Sequence, residues 1–114
     1  MANSEVYYQA ELGELYESIA RNQSEWSQAT FGTDKKRGPI GALKHLVKEA
    51  QECIDTPDDE MEYADCFLLI LDASRRAGIG FIDLLKAAQK KMEINKSRVW
   101  PKPIDDTPVE HVRA

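Results

Sequence analysis

The sequence predicts an all-α fold, a bundle of four to five helices, on three observations. Apolar residues recur at helical spacing in four separate stretches of the chain. Between those stretches lie proline and glycine signals of the kind that open and close helices. Alternating polar and apolar residues, the mark of a half-buried strand, are weak throughout. A chain of 114 residues suits one domain with one modest core. The expectation is a single all-α domain over residues 1–100 and an extended, proline-rich tail over residues 101–114.

The first helix spans about Ser4 to Arg21, with Tyr8, Leu12, Leu15 and Ile19 as its stripe and Gly13 as a weak point. It either continues through Trp26 to Phe31 or breaks at Asn22-Gln23-Ser24, where Ser24 would cap a second piece. Phe31-Gly-Thr-Asp-Lys-Lys-Arg-Gly38 reads as a loop. Pro39 then suits the first turn of a helix running to about Ile54, whose stripe is Leu43, Val47, Ala50 and Ile54. His45, Glu49 and Glu52 lie beside that stripe at i, i+4, i+7. Thr56-Pro57-Asp58-Asp59 reads as the next helix start, with Thr56 as cap and Pro57 in the first turn. That helix reaches about Ala77 and stops at Gly78. From Phe67 to Leu71 it is apolar all round, which predicts a buried central helix. A last helix runs from about Phe81 to Val99 and is ended by Pro101.

Composition narrows the function. Apolar residues at 42% and charged residues at 31% mark a soluble globular chain. A net charge of −5 repels a nucleic-acid polymer, so an anionic ligand needs a metal or a local basic cluster. No apolar run approaches the ~20 residues of a membrane span. The acidic N-terminal MANSEVYYQAELGEL lacks the pattern of a signal peptide, so a cytoplasmic protein is expected. Cys53 and Cys66 lack metal or redox spacing and read as reduced, buried small side chains.

The chemistry centres on His45 to Asp72. Glu49/Glu52 and Glu62/Asp65 each stand at i, i+3, so each pair shares a helix face. The short break at Thr56-Pro57 predicts an antiparallel helix pair, which lets the two acidic pairs meet across a seam. Carboxylates gathered in this way repel one another unless protons or a hard cation neutralise them. Oxygen-only ligands suit Mg²⁺, Mn²⁺ or Ca²⁺. Glu62, Asp65 and Asp72 fall on one side of a helix expected to be buried, a costly arrangement without compensation. Lys91, Asn95 and Arg98 line up at i, i+4, i+7 on the last helix. A metal site of this kind calls for a phosphate-bearing ligand, whose remaining oxygens suit lysine and arginine donors. Trp26 and Phe31 can stack on a base or belong to the core, and His45 can orient a ligand, act as a base or serve the structure alone.

Glu49-Ala-Gln-Glu52 followed by Glu62-Tyr-Ala-Asp65 resembles the metal-binding signature of the MazG-like all-α nucleoside triphosphate pyrophosphohydrolases. EWSQATFG from Glu25, GALKHLVKE from Gly41, DASRRAG from Asp72 and KMEINKSRVWP from Lys91 resemble the small phage and prophage dATP/dGTP diphosphohydrolase branch. The resemblance spans about residues 19 to 101. It implies a catalytic domain that cleaves a purine deoxynucleoside triphosphate, dGTP or dATP, to the monophosphate and pyrophosphate. It implies Mg²⁺, with Mn²⁺ as a substitute, held by Glu49, Glu52, Glu62 and Asp65. It implies phosphate contacts from Lys91, Asn95 and Arg98, a base near Trp26 and Phe31, and a homodimer or homotetramer. His45 and Asp72 complete the expected substrate-binding set. Glu52, or else Glu49, is the expected general base. Two features depart from the family pattern: Lys48 precedes Glu49 where many relatives carry a double glutamate, and only 9 residues separate Glu52 from Glu62. Rival readings are a related pyrophosphohydrolase for another nucleotide, and a non-catalytic helical module that binds Mg²⁺–nucleotide or only dimerises.

Overall fold

A computed structural model describes residues 2–113, with side chains from residue 9 onward. Among the described residues there are four helices and no strand: α1 (Ala2–Phe31), α2 (Ile40–Asp55), α3 (Glu60–Arg76) and α4 (Phe81–Ser97). The chain divides into two compact units, Met1–Phe81 and Ile82–Ala114.

In the first unit, α1 runs unbroken to Phe31, which resolves the alternative at Asn22-Gln23-Ser24. Ser24 caps nothing: its hydroxyl accepts from Gln28 Nε2 at 2.9 Å inside the helix. Tyr8, the first member of the expected stripe, lies outside the described side chains. Gly32, at φ +111°, ends the helix in a conformation that costs glycine little.

The turn between α2 and α3 is built differently from expectation. Thr56 closes α2: its backbone N–H and its hydroxyl both donate to Glu52 O at 2.9 Å. Asp59 is the cap of α3, its carboxylate accepting from Met61 N at 3.0 Å. Tyr63 donates to Pro57 O at 2.8 Å and secures the turn. Pro57 therefore serves the turn, because the chain still has to reverse before a helix can begin. The far end of α3 has Gly78 at φ +86°. Gly78 N donates to Arg75 O and Ile79 N to Ser74 O, both at 2.9 Å, the paired bonds of a Schellman stop.

Cross-helix neighbours show that α2 and α3 run antiparallel. Glu52 meets Glu62, Cys53 meets Cys66 at 3.6 Å between sulfurs, and His45 shares a cavity wall with Leu69 and Asp72. As one number falls the other rises. α1 lies against α3 through Gln23 and Ser27.

The expectation of a fully buried central helix needs correction. Leu71, Asp72, Ala73 and Arg76 of α3 are buried, whereas Phe67, Leu68 and Ile70 remain exposed in the single chain. The reason is geometric: α1 and α2 cover only part of the α3 circumference, and its apolar surface continues past their edge.

In the second unit, α4 ends at Ser97. Trp100 Nε1 donates to Asn95 O at 2.8 Å, and its ring meets His111 edge-on at 5.7 Å. Val112 N donates to Val99 O at 2.6 Å. The proline-rich tail forms no helix or strand over its described residues, yet it turns back on Val99 and Trp100 rather than trailing free.

A candidate metal and nucleotide site on the α2–α3 hairpin

Glu49 and Glu52 come from the last two turns of α2, and Glu62 from the first turn of α3. The four-residue turn between the helices brings these three acids together. One carboxylate oxygen from each lies within 4.8 Å of the others. Glu49 Oε2 and Glu62 Oε2 are buried and have no hydrogen-bond partner. Buried carboxylate oxygens with no donor are costly. The acids respond as crowded carboxyls do. Contact with the Glu52 carboxyl, then burial, then the neighbouring charges push Glu62 up to about 7. The same causes raise Glu49, with Asp65 adding its charge and the hydrogen bond to His45 opposing. Oxygen-only donors, negative charge and two orphaned oxygens fit a hard divalent cation.

Asp65 stands outside this tight group of three. It lines a cavity of about 240 Å³ together with Glu49, Trp26, Phe31, His45 and Asp72. Six of the expected site residues thus share one cavity, next to the acidic cluster. His45 Nε2 pairs with Glu49 Oε1 at 3.0 Å and links the cavity to the cluster. Trp26 and Phe31 meet edge to face at 5.3 Å between ring centres. Lys91 and Asn95 lie on α4, with Arg98 just beyond its end, and all three belong to the second unit.

Asp72 is the acid whose place in an apolar stripe needed compensation, and the structure supplies it. Oδ1 accepts from Ser27 Oγ at 2.5 Å, Arg75 Nη2 at 2.7 Å and Gln23 Nε2 at 3.0 Å. Oδ2 accepts from Arg76 Nε at 2.9 Å. Burial pushes this carboxyl up, and the bonds from Gln23, Ser27, Arg75 and Arg76 outweigh it, so Asp72 is held well below the usual carboxylate range. Arg76 also donates to Ser27 Oγ at 3.0 Å, Gly32 O at 2.9 Å and Arg37 O at 3.2 Å, tying three segments together behind the cavity. Arg75 reaches Asp34 at 3.1 Å and bonds the Gln23 side chain.

The sequence reading did not single out Gln23, Ser27, Arg75 and Arg76. A signal was present. Arg75 and Arg76 follow Asp72 at i+3 and i+4, the helical spacing of ion pairs, and Gln23 and Ser27 are i, i+4 on α1. Cys53 and Cys66 are free, and burial, then the hydrogen bond with Cys66, raises the Cys53 thiol to about 11.

A sequence profile described as dATP/dGTP pyrophosphohydrolase matches residues 19–114. The chain is 46% identical over 97 residues to the Eaa protein of Salmonella phage P22, covering 85% of this chain and 30% of that protein. It is 38% identical over 91 residues to a dATP/dGTP diphosphohydrolase of Salmonella phage PMBT28, covering 78% of this chain and 29% of the other. The chain thus spans about a third or less of the length of these two relatives. A dATP/dGTP diphosphohydrolase of Cyanophage S-2L is 29% identical over 97 residues, 83% of this chain and 89% of its own. The fold matches a solved structure of the Cyanophage S-2L MazG-like pyrophosphohydrolase, bound to dGDP and three catalytic Mn²⁺ ions per active site. The TM-score is 0.68 at 26% identity, over 86% of this chain and 97% of that one. Family profile, phage relatives and fold agree: the chain belongs to the MazG-like dATP/dGTP pyrophosphohydrolase family.

Proposed function

We propose that the protein cleaves a purine deoxynucleoside triphosphate, dGTP or dATP, between the α and β phosphates, releasing the monophosphate and pyrophosphate. The observation that carries this is the cluster of Glu49, Glu52 and Glu62, with two buried oxygens that lack donors, opening beside an aromatic cavity. Glu49, Glu52 and Glu62 would hold the metal, with Asp65 at the edge of the group. We take Mg²⁺ as the working ion and Mn²⁺ as its substitute. When bound, the divalent cation offsets the carboxylate repulsion, polarises the α-phosphate and acidifies a water.

The rest falls to the chain. Glu52 takes the proton of the attacking water, and Glu49 is the second candidate for that role. His45 holds Glu49 Oε1 and fixes the direction of its carboxylate. Trp26 and Phe31 receive the base, and Asp72, locked by its donors, keeps the wall behind them rigid. Lys91, Asn95 and Arg98 donate to phosphate oxygens, a role supported by their spacing and by the chemistry of the ligand. No covalent step on the protein is needed, because positioning and charge neutralisation lower the barrier. No helix among the described residues is long and apolar enough to cross a membrane. With the phage relatives, this supports action in the cytoplasm of a bacterium or infected host.

The test is a product assay. The purified protein is incubated with each ribo- and deoxynucleoside triphosphate and Mg²⁺, and products are separated by ion exchange. Monophosphate and pyrophosphate from dGTP or dATP are expected. Diphosphate with phosphate would mean the bond cleaved is the wrong one, and no turnover by a folded protein would leave a non-catalytic nucleotide-binding module.

A further inference from the structure

Arg37 takes no part in the proposed reaction. It belongs to the loop between α1 and α2, and with Phe31, Gly38, Gly41 and His45 it walls a cavity of about 90 Å³. That cavity adjoins the larger one, since both are lined by Phe31, His45, Leu69 and Asp72. The Arg37 backbone is fixed from both sides. Its N–H donates to Thr33 O at 3.0 Å, and its carbonyl accepts from the buried Arg76. Its guanidinium rests against the first turn of α2, where a Cβ on Gly41 would stand 3.0 Å from Nη2. Among the described residues that guanidinium makes a single hydrogen bond, a long one of 3.4 Å from Nη1 to Phe31 O. The neighbouring Arg76, by contrast, is engaged on Asp72, Ser27, Gly32 and Arg37. Arg37 therefore brings unused, forked donors to the cavity mouth.

Its position along the cleft limits what it can meet. Gly41 precedes Glu49 on α2 by eight residues, which is roughly 12 Å of helix axis. A triphosphate held at Glu49, Glu52 and Glu62 puts its reacting phosphate at one end of the cleft and its base toward the other. Arg37 stands toward the base end, in the cavity whose wall it shares with Phe31. We propose that Arg37 reads the outer edge of a guanine, its guanidinium donating to O6 and N7. The arginine fork matches those two acceptors, whereas adenine presents an amino donor in place of O6. This rests on the proposed pyrophosphohydrolase reading and assigns a base-selecting residue to it.

The experiment measures binding of dGDP and of dADP, each with Mn²⁺, by calorimetry, and turnover of dGTP and dATP in parallel. Arg37 is exposed in a loop, so Arg37→Met is expected to keep the helices, which far-UV circular dichroism checks. The expected result is dGDP binding weakened by about tenfold or more and dADP binding changed by less than about twofold. Gly41→Ala crowds Nη2 and is expected to shift the same ratio in the same direction by a smaller factor, so the contact is tested even if the arginine variant misfolds. Equal weakening of both diphosphates would show general attraction for anions and overturn the contact, as would unchanged dGDP affinity or no binding by the unaltered protein. If the unaltered protein binds dGDP but releases no pyrophosphate from any triphosphate, the catalytic reading fails, and the binding ratio still decides the role of Arg37.

Discussion

Glu52→Gln keeps the size of the side chain and removes its charge. If Glu52 takes the proton, turnover falls by about 10²-fold or more while the helical spectrum stays unchanged. Asp65→Asn tests the edge of the metal group in the same way. Near-normal activity of either variant at saturating Mg²⁺ would take that residue out of the site. Asp72 makes a different prediction. Its folded carboxyl is held below its unfolded value, so the stability it contributes is complete above about pH 4 and is lost as pH falls toward the folded value. Urea midpoints are therefore expected to drop with acidity below about pH 4, and Asp72→Asn should remove one proton's share of that slope. Arg76→Met leaves part of a buried carboxylate uncompensated and should cost about 3 kcal/mol in urea unfolding. A midpoint within error of the unaltered protein would mean that Arg75, Ser27 and Gln23 together suffice to compensate Asp72.

Each helix end has its own chemistry, and here sequence and structure part company. The stop at Gly78 was legible, because a glycine after an arginine-rich last turn has few other uses. It tests simply: no atom lies within 4 Å of an added Cβ, so Gly78→Ala should cost only the left-handed backbone, about 1 kcal/mol in thermal or urea unfolding. A loss several times larger would point to contacts that the open surroundings do not show. The start of α3 was misplaced by three residues, because Thr56 and Asp59 are both good caps and the sequence does not say which one the turn consumes. The acidic seam was legible, since i, i+3 spacing on two helices and a short turn leave little freedom. The grouping was only partly so. Glu49, Glu52 and Glu62 converge while Asp65 faces the cavity, a difference of side-chain direction that spacing cannot encode. The Asp72 network was missed because Gln23 and Ser27 lie 45 or more residues away from it in the chain.

For the whole molecule, the telling feature is how little of the apolar surface one chain hides. Phe67 is 44% exposed and Ile70 37%, on a helix whose composition suits an interior. Leu71 and Ala73 are the buried apolar residues among those described, a core too small to stabilise a lone domain of this length. We therefore expect a homodimer or homotetramer, with a second copy covering this face of α3. Sedimentation equilibrium should show an assembly, and Phe67→Asp should dissociate it and lower its thermal midpoint. A stable, monodisperse monomer would refute the expectation. A face shared with a copy would account for the burial that the apolar run from Phe67 to Leu71 predicts and one chain does not show.

The turn at Thr56–Asp59 has a kinetic consequence. Glu49, Glu52 and Glu62 sit on either side of one short reversal, so the acidic cluster assembles from contacts local in sequence, the kind that form early. Closing the same hairpin gathers three carboxylates that repel one another, a cost that falls on the barrier to folding if the hairpin forms early. Millimolar Mg²⁺ should then accelerate refolding in stopped-flow experiments as well as slow unfolding, since the ion would already bind in the transition state. An effect confined to the unfolding limb would mean that the hairpin closes before its acids converge, and that the cation arrives at a finished fold.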